Sequence, residues 1–464
     1  MSLPDLPRDV LLGIGQHLSR TDLVALSLVG KGLRELAQPL LYSSIRITWI
    51  PGCHPPILQL LRGLLERPFL ANCVQNLRLD GSVSVSPKDQ IARLDKFPDA
   101  IAKTAHQRLV SAMPTGVSPG TAHAWDNSIQ QGNIDAIVAL LVSLLPNLRR
   151  LHLSEAWTLE SKFLGSLLEV SLSDKQGKTA CCHTRQDDTL RLPKLASLHQ
   201  VTLSARPDRK RSPYKKNTKA VLSLFYLPSI QELSVSIDSP ADFSWPLPNR
   251  PTPLTLTSLE IHRLHELHLG PVLFVLQNLR RLRYNWVYQQ NVGKQIDDDA
   301  VGLDTIALAI AQCHRLETLE ITAACNPAES NGSLEPPSVQ LQGSLGALSK
   351  LHDLKKMQIP WVFIMGMKEA STPNAGRLIS SILPLNTEHL MVTGNLGSSN
   401  DYEWDETSII ESFEIALSNG LKARTKGLGS ICLPYPQQSG LSPEYRAMLI
   451  GLHSQYSIEF TNQT

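Results

Sequence analysis

The first apolar residues of the chain follow a helical spacing. Val10, Leu11, Ile14 and Leu18 recur at intervals of one to four residues and would share one face of a helix. Pro7 precedes them and suits a first helical turn, where its missing N–H would have no partner in any case. The pattern therefore predicts an amphipathic helix that begins near Pro7.

A second predicted helix is apolar on all sides. Thr21 or Asp22 can cap its N-terminus. Six apolar residues would point in every direction around its axis: Leu23, Val24, Ala25, Leu26, Leu28 and Val29. A helix of this kind must be covered on all sides.

A third predicted helix completes the N-terminal unit. Four apolar residues share one of its faces, namely Leu33, Leu36, Ala37 and Leu40. We expect an interruption at Pro39. Three short helices cannot enclose one of their own members. No cysteine precedes Cys53, so neither a disulfide nor a cysteine-bound metal can stabilise this unit. The second helix must therefore be covered either by a partner protein or by the rest of the chain.

The remainder of the chain repeats one short pattern, in which two apolar residues flank a single residue. Ten such steps occur: Leu77/Leu79, Leu151/Leu153, Val201/Leu203, Leu233/Val235, Leu259/Ile261, Leu282/Tyr284, Leu319/Ile321, Met357/Ile359, Leu390/Val392 and Ile431/Leu433. A spacing of two places both side chains on the same face of a strand. The pattern predicts ten short strands, each with one buried face.

Helical patterns lie between these strands. One apolar stripe precedes the second predicted strand and another precedes the seventh, at Ile134/Ile137/Leu141/Leu144 and at Ile306/Ala309/Ile310/Cys313. Strands that alternate with helices in this way are typical of a solenoid, and the pattern resembles an irregular leucine-rich repeat. We predict an α/β fold: a short three-helix N-terminal unit, then an irregular repeat solenoid with a curved parallel sheet. The alternative is an ordinary α/β domain with leucine-rich strands.

Two parts are expected, the helical unit at residues 1–47 and one continuous repeat array at 48–464. Two inserts interrupt the array, near 84–132 and near 206–219. The first contains several Pro, Gly and Ser residues and is predicted to be a helix plus a loop. The second, "RPDRKRSPYKKNTK", has seven basic residues and is predicted to be a solvated loop. Three alternatives remain for this stretch: a nuclear-import signal, a phosphate-binding patch or a phosphorylation site at Ser212.

Composition excludes several classes of function. The 44 basic and 42 acidic side chains leave a net charge of +2, which argues against a general nucleic-acid binder. No apolar run is long enough to span a bilayer and no secretory signal is recognised, so no membrane association is expected. Seven dispersed cysteines indicate reduced thiols, and hence the cytoplasm and/or the nucleus.

Candidate catalytic and metal-binding motifs are weak. "GVSPG" at 116–120 matches the spacing of a nucleophile elbow around Ser118, but the neighbouring prolines favour a loop over the required strand and helix. Cys181, Cys182 and His183 are adjacent, and this spacing does not suit zinc. The sequence therefore predicts that the protein is not an enzyme and has no cofactor and no metal.

The N-terminal segment "LPRDVLLGIGQHLSRTDLVALSLVGKGLRELAQPLLY" resembles an F-box. Eleven residues stand at positions of the family pattern: Leu6, Pro7, Asp9, Ile14, Leu18, Asp22, Leu23, Leu26, Val29, Lys31 and Leu36. The ending "LAQPLLYSSIRI" is similar to that of F-box proteins of filamentous fungi. Gly30 departs from the pattern, which usually has Ser or Cys there, and Gly13 and Gly15 weaken the first helix.

The resemblance implies that the chain is the substrate-recognition adaptor of a cullin-type ubiquitin ligase. The F-box would bind the small adaptor subunit of the ligase, and the repeats would bind a protein substrate. The implied adaptor-binding residues are Leu6, Pro7, Val10, Leu11, Ile14, Leu18, Leu23, Leu26, Val29 and Lys31. The alternative is a repeat scaffold without a ubiquitin role. A third possible function is a hydrolase, and only the motif "GVSPG" would support it.

The substrate is expected on the exposed face of the strands. The middle residue of each step points away from the buried pair, and these residues have mixed charges, which suits a protein better than a polyanion. Trp157, Trp286 and Trp361 follow strands, and tryptophan and arginine often dominate interface energies. The predicted recognition residues are Arg283, Trp286 and Trp361, with His152 and Trp157. The alternative is that the tryptophans pack between repeats.

Overall fold

The computed structural model describes residues 6–50, 56–81, 119–158, 162–173, 195–204, 218–237, 243–287, 300–324, 339–366, 375–394, 396, 404, 406–436 and 443–463. Helices and parallel strands alternate along this chain, so the predicted α/β fold with a repeated strand–helix unit is confirmed. The chain forms two compact units. The first comprises Met1–Pro207, Lys219–Val235 and Trp245–Asn249, and the second comprises Asp208–Thr218, Ser236–Ser244 and Arg250–Thr464.

The first unit begins with three helices and continues as a parallel sheet. Its helices are α1 (Arg8–Gln16), α2 (Arg20–Val29), α3 (Lys31–Ser43), α4 (Ile57–Glu66), α5 (Pro68–Ala71), α6 (Pro119–Gln130), α7 (Ile134–Ser143), α8 (Lys162–Ser173) and α9 (Thr218–Ser223). Its strands are β1 (Ser44–Trp49), β2 (Asn76–Gly81), β3 (Arg150–Leu153), β4 (Gln200–Leu203) and β5 (Glu232–Ser236). Each strand pairs in parallel with the next in sequence, as expected of stacked repeats.

The second unit continues the same alternation. Its helices are α10 (Glu266–Leu273), α11 (Leu303–Ile310), α12 (Trp361–Met365), α13 (Ala375–Ile382), α14 (Glu406–Ser418), α15 (Leu421–Arg424) and α16 (Pro443–Tyr456). Its main strands are β6 (Ser258–His262), β7 (Arg281–Val287), β9 (Thr318–Ala324), β11 (Lys356–Pro360), β12 (His389–Thr393), β13 (Ser430–Pro436) and β14 (Glu459–Gln463). A separate parallel pair joins β8 (Ala300–Gly302) to β10 (Gln340–Gln342).

Apolar alternation explains the core of each unit. In β3 the burial alternates so that Leu151 and Leu153 are buried, while His152 between them stays half-buried on the other face.

The helix α7 is buried over all ten of its residues, although the sequence predicted only one apolar stripe. Its one acid, Asp135, accepts a hydrogen bond from the backbone N–H of Phe163 at 2.8 Å. A buried carboxylate is tolerated there because it has this partner.

All ten predicted strands are present, but the strand inventory was incomplete. The segment Ser44–Trp49 is a strand, whereas the sequence placed residues 44–47 in the helical unit. Glu459–Gln463 forms a further strand at the C-terminal end of the described chain. The alternation of Ile45 and Ile47 is the sequence signal that was overlooked for β1.

Two local expectations in the N-terminal unit were wrong. Helix α3 continues through Pro39 without interruption. Helix α2 is capped by Ser19 rather than by Thr21 or Asp22. The predicted inserts lie largely outside the described residues, as do Ser118, the Cys181–His183 group and the basic stretch 206–217. Within the first insert, residues Pro119–Gln130 are helical.

Candidate functional site

The start of helix α2 is held by a reciprocal cap. The side-chain oxygen of Ser19 accepts a hydrogen bond from the backbone N–H of Asp22 at 3.2 Å, and the Asp22 carboxylate accepts one from the Ser19 N–H at 3.3 Å. This capping box satisfies two N–H groups that the first turn would otherwise leave unpaired. The cap fixes where α2 begins, and therefore which of its apolar residues face the neighbouring helices.

Close contacts join the three helices into a bundle. Gly15 of α1 is buried so close to α3 that a Cβ atom there would lie 2.6 Å from Leu40 Cδ1. The Arg34 guanidinium of α3 donates a hydrogen bond to the Ser27 carbonyl of α2 at 3.0 Å. Leu23 is the one buried residue of α2. The bundle therefore covers only one side of the second helix.

An apolar groove of about 400 Å³ lies between the helices. Ten residues line it, of which only one is charged: Leu11, Ile14, Gly15, Leu18, Asp22, Ala25, Leu26, Val29, Leu33 and Leu36. Ile14 is 40% exposed and Val29 is 74% exposed. Val24 and Leu28 also remain exposed. The structure thus leaves most of the apolar surface of α2 uncovered by the described chain.

The predicted adaptor-binding residues divide into surface and interior. Pro7, Val10, Ile14, Val29 and Lys31 are exposed. A further four are partly exposed, namely Leu6, Leu11, Leu18 and Leu26. Leu23 is buried inside the bundle and cannot contribute to its surface. Five of the ten, Leu11, Ile14, Leu18, Leu26 and Val29, meet at the groove.

The bundle joins the repeat sheet without a linker. Helix α3 ends at Ser43 and strand β1 begins at Ser44. The Ser43 carbonyl accepts a hydrogen bond from the Gln75 N–H at 2.9 Å, and β1 then pairs with β2 from Ser44/Asn76 to Trp49/Gly81. The bundle belongs to the first compact unit, and this pairing connects it to the sheet of that unit.

An ionic cluster occupies the exposed face of β1, β2 and β3. Asp80 accepts hydrogen bonds from Arg46 Nε at 2.7 Å and from Arg78 Nε at 2.9 Å, and His152 Nε2 lies 3.4 Å from the same carboxylate. Burial opposes ionisation of Asp80, but the two guanidinium groups outweigh it and lower its pKa. Burial and the nearby Arg78 lower the pKa of His152 and so favour its neutral form, although Asp80 opposes them.

A second ionic cluster lies on the exposed face of the second unit. Arg283 binds Glu320 at 2.5 Å and Glu260 at 3.2 Å, so the guanidinium bridges the strands on both sides. Burial lowers the pKa of Arg283, but the hydrogen bonds and charges of Glu320 and Glu260 raise it overall. Arg283 is therefore a half-exposed positive charge that pairs with two negative ones.

The three predicted recognition tryptophans are inside their units. Trp157 is 1% exposed and donates to the Asp80 carbonyl at 3.0 Å. Trp286 is 5% exposed and donates to Glu266 at 3.0 Å. Trp361 is 2% exposed and packs against Phe413, with 5.4 Å between ring centroids. Their burial matches the alternative, in which the rings hold the repeats together.

Arg283 and Trp286 do not form a joint surface. They are three residues apart on strand β7, and an odd spacing places side chains on opposite faces. The burial pattern agrees, because Arg283 is exposed while Trp286 is buried. The proposed cluster of Arg283 with Trp286 was therefore an error of register, and Arg283 remains as the exposed member.

The described residues contain neither a metal-binding cluster nor a membrane-spanning helix. There, no group of three or more His, Cys, Asp or Glu side chains could hold a metal ion. A membrane-spanning helix is not found in the part of the chain that the structure describes. Sequence reasoning overlooked a polar pocket at the beginning of strands β2 to β5.

Comparisons with known proteins find a family model at the N-terminus and distant similarities to solved structures. No curated protein matches the chain. Among solved structures, a leucine-rich repeat protein of Leptospira interrogans is 13% identical, with 86% of this chain and 98% of that chain covered, at a TM-score of 0.21. The model of the F-box-like family matches residues 3–48, the segment that carries the capped helix α2 and the apolar groove. The N-terminal segment of this chain is an F-box-like domain.

Proposed function

We propose that this protein is the substrate-recognition subunit of a cullin-type (SCF) ubiquitin ligase. Its F-box-like domain binds the small adaptor subunit of the ligase, and the exposed face of its repeat sheet binds a protein substrate. The protein performs no chemistry itself. It acts by proximity, since it raises the effective concentration of a substrate lysine near the ubiquitin-carrying enzyme.

The uncovered apolar surface of α1 and α2 carries this proposal. A soluble bundle gains about 1.5–3 kcal/mol for each large apolar side chain that a partner removes from water. Ile14 and Val29 are exposed beside a groove of about 400 Å³, in a segment matched by the F-box-like family. An apolar partner surface is the physical requirement of this site, and the adaptor subunit is the partner that F-box proteins bind.

The direct connection from the bundle to the sheet supports the proximity mechanism. Because α3 runs into β1, and β1 pairs with β2 along six residues, we expect the first unit to move together with a bound adaptor. A flexible linker would lower the effective concentration of a bound substrate. Substrate bound beside His152 or Arg78 would instead be held at a fixed distance from the docked bundle.

A double substitution in the groove tests the docking surface. Leu11→Asp with Ile14→Asp places two charges where the adaptor must be apolar, so affinity capture of the full chain should no longer recover the adaptor. The matched control is Leu308→Asp with Ile415→Asp, two exposed apolar helical residues outside the F-box-like domain. The control should capture the adaptor at the wild-type level.

Capture of the adaptor by the groove variant at the wild-type level would disprove the docking surface. Substrates are sought in the same experiment with the proteasome blocked, from the full chain and from a form without residues 1–45. Proteins retained by both are substrates, and those lost with the deletion belong to the ligase. Failure of the full chain to capture any cullin component would favour the alternative, a repeat scaffold without a ubiquitin role.

The proposal also includes the type of F-box protein and its localisation in the cell. The ending "LAQPLLYSSIRI" supports an F-box protein of the filamentous-fungal type. The dispersed cysteines support the cytoplasm and/or the nucleus, and Cys73, Cys313 and Cys432 are free thiols within the described chain. Imaging of a fluorescent fusion tests the localisation, and a secretory pattern would contradict it.

A further inference from the structure

A polar pocket of about 310 Å³ lies at the amino-terminal edge of strands β2 to β5. It is built from the residue before each strand and the first residue of that strand. The backbone holds these residues in order: the Gln75 carbonyl accepts hydrogen bonds from the N–H groups of Arg149 and Arg150 at 2.7 and 3.0 Å. The Arg149 and His199 carbonyls repeat this contact with the next two strands.

The two arginines of this pocket differ from the other arginines on the sheet. Arg46, Arg78 and Arg283 are neutralised by carboxylates. Within the described chain, the side chains of Arg149 and Arg150 form no ion pair and no hydrogen bond, and both are exposed. Arg149 and Arg150 both line the pocket without a paired carboxylate among the described residues, so an anion bound there would gain from both positive charges.

His199 adds a further hydrogen-bonding group to the pocket. Its Nδ1 atom is buried and has no hydrogen-bond partner within the described chain. A buried polar atom without a partner is uncommon in folded proteins, so a ligand that hydrogen-bonds to it would stabilise the site. His199 lines the same pocket as the two arginines, together with Gln75 and Gln200, whose amide groups donate hydrogen bonds.

We propose that this pocket binds a phosphoryl group. The pocket contains two arginines, Arg149 and Arg150, and one acid, Glu232. An anion with several oxygens offers the planar guanidinium donors of two arginines more acceptors than a single carboxylate does. Its volume admits a phosphorylated side chain. That the phosphoryl group belongs to a protein substrate rests on the proposed function, whereas binding of the group itself does not.

Titration of the full-length protein tests the pocket with three probes: inorganic phosphate, O-phosphoserine and glutamate. Binding is followed by calorimetry and by the ring-proton NMR signal of His199, assigned with His199→Asn. We expect saturable binding of the two phosphoryl probes with a shift of the His199 signal. Arg149→Gln with Arg150→Gln should weaken this binding at least about tenfold, because two charge-assisted contacts are lost.

A charge-matched control separates the pocket from general electrostatic attraction. Arg20→Gln with Arg67→Gln removes the same charge from exposed positions that do not line the pocket, and should leave the affinity within about twofold. Equal weakening in both double variants, or no saturable binding to the wild type, overturns the proposal. Equal affinity for glutamate overturns the phosphoryl assignment. Tighter binding of O-phosphoserine than of phosphate supports a protein-borne group over the free ion.

Phosphoryl binding by the pocket can be tested independently of adaptor binding by the F-box-like domain. The Arg149→Gln, Arg150→Gln variant should still capture the adaptor, and the Leu11→Asp, Ile14→Asp variant should still bind the phosphoryl probes. Failure of the wild type to bind the phosphoryl probes would therefore disprove the pocket alone, while wild-type adaptor capture by the Leu11→Asp, Ile14→Asp variant would disprove the docking surface alone. Thermal melting of each variant checks that both retain the fold.

Discussion

Arg46 and Asp80 are joined by a 2.7 Å ion pair across strands β1 and β2. Arg46 lies on the strand that leaves the F-box-like bundle, and Asp80 lies on the first strand of the predicted repeats. In the register of the sheet, Arg46 is directly opposite Arg78. Two like charges would repel each other there, and the shared carboxylate of Asp80 prevents this.

We predict that Asp80→Asn lowers stability at neutral pH. Loss of the carboxylate leaves Arg46 and Arg78 opposite each other without a counter-charge. The arginines are more than half exposed, so solvent screens the effect and the expected loss is about 0.2–1 kcal/mol. Urea unfolding at pH 7 measures it. Arg62→Gln, which breaks an exposed pair with Glu66, is the control and should have a smaller effect.

The ion pair of Arg46 with Asp80 also predicts how stability changes at low pH. Because the folded-state pKa of Asp80 lies below its ordinary value of 3.8, its contribution is fully present above that value and is lost as pH falls through the lowered pKa. The difference in melting temperature between wild type and Asp80→Asn should therefore shrink below pH 3.8. A difference that stays constant down to pH 2 would contradict the assigned pairing.

Gly13→Ala should stabilise the F-box-like domain. Gly13 lies inside helix α1, and a Cβ atom there would meet nothing within 4 Å. Alanine reduces the entropy lost on helix formation by about 0.5–1 kcal/mol. The matched control is Gly15→Ala, whose Cβ would lie 2.6 Å from Leu40 Cδ1 and would force that side chain to move. Calorimetry should show a higher melting temperature for Gly13→Ala only.

Trp361→Ala should destabilise the second unit strongly. The ring is 2% exposed and lies against Trp404 and Phe413, so its removal leaves a cavity that costs about 3–5 kcal/mol. Arg283→Gln, by contrast, changes only the exposed face and should cost much less. Chemical denaturation compares the two. A melting temperature unchanged by Trp361→Ala would mean that the ring is not part of the core.

Cys313 should resist alkylation in the folded protein. It is buried, and burial raises the pKa of its thiol to about 12, so only about one thiol in ten thousand is ionised at pH 8. Cys73 is only partly buried and serves as the control. Iodoacetamide labelling followed by mass spectrometry should modify Cys73 first and Cys313 only in urea. Equal labelling rates without denaturant would contradict the burial of Cys313.

Residues 48–464 are predicted to form one continuous array, and limited proteolysis tests this. First cuts are expected near 110–130 and near 206–219. Within the first range, Trp125 and Ile129 are buried in helix α6, which should protect residues 119–130 and shift cleavage before them. Mass spectrometry of the fragments locates the cuts. A stable fragment boundary inside 256–360 would contradict a continuous array.

Local periodicity was enough to predict the ten strands and the N-terminal helices. Leu151 and Leu153 are two residues apart, and a strand is the element that places such a pair on one face. The apolar second helix likewise predicted an uncovered surface, because no arrangement of three short helices can enclose one of them. These conclusions depend on neighbours in sequence, and neighbouring residues determine local geometry.

Contacts between distant residues were decided only by the tertiary structure. The sequence placed Arg283 beside Trp286, yet their odd spacing puts the indole in the core, where Glu266 accepts its N–H. It did not indicate that Arg149 and His199, fifty residues apart, would meet in one pocket, because parallel register brings together positions that no local pattern connects. The sequence determined which residues face the core. Stacking of the strands decided which of the remaining residues became neighbours, because each strand aligns with a partner that lies one whole repeat away in the chain.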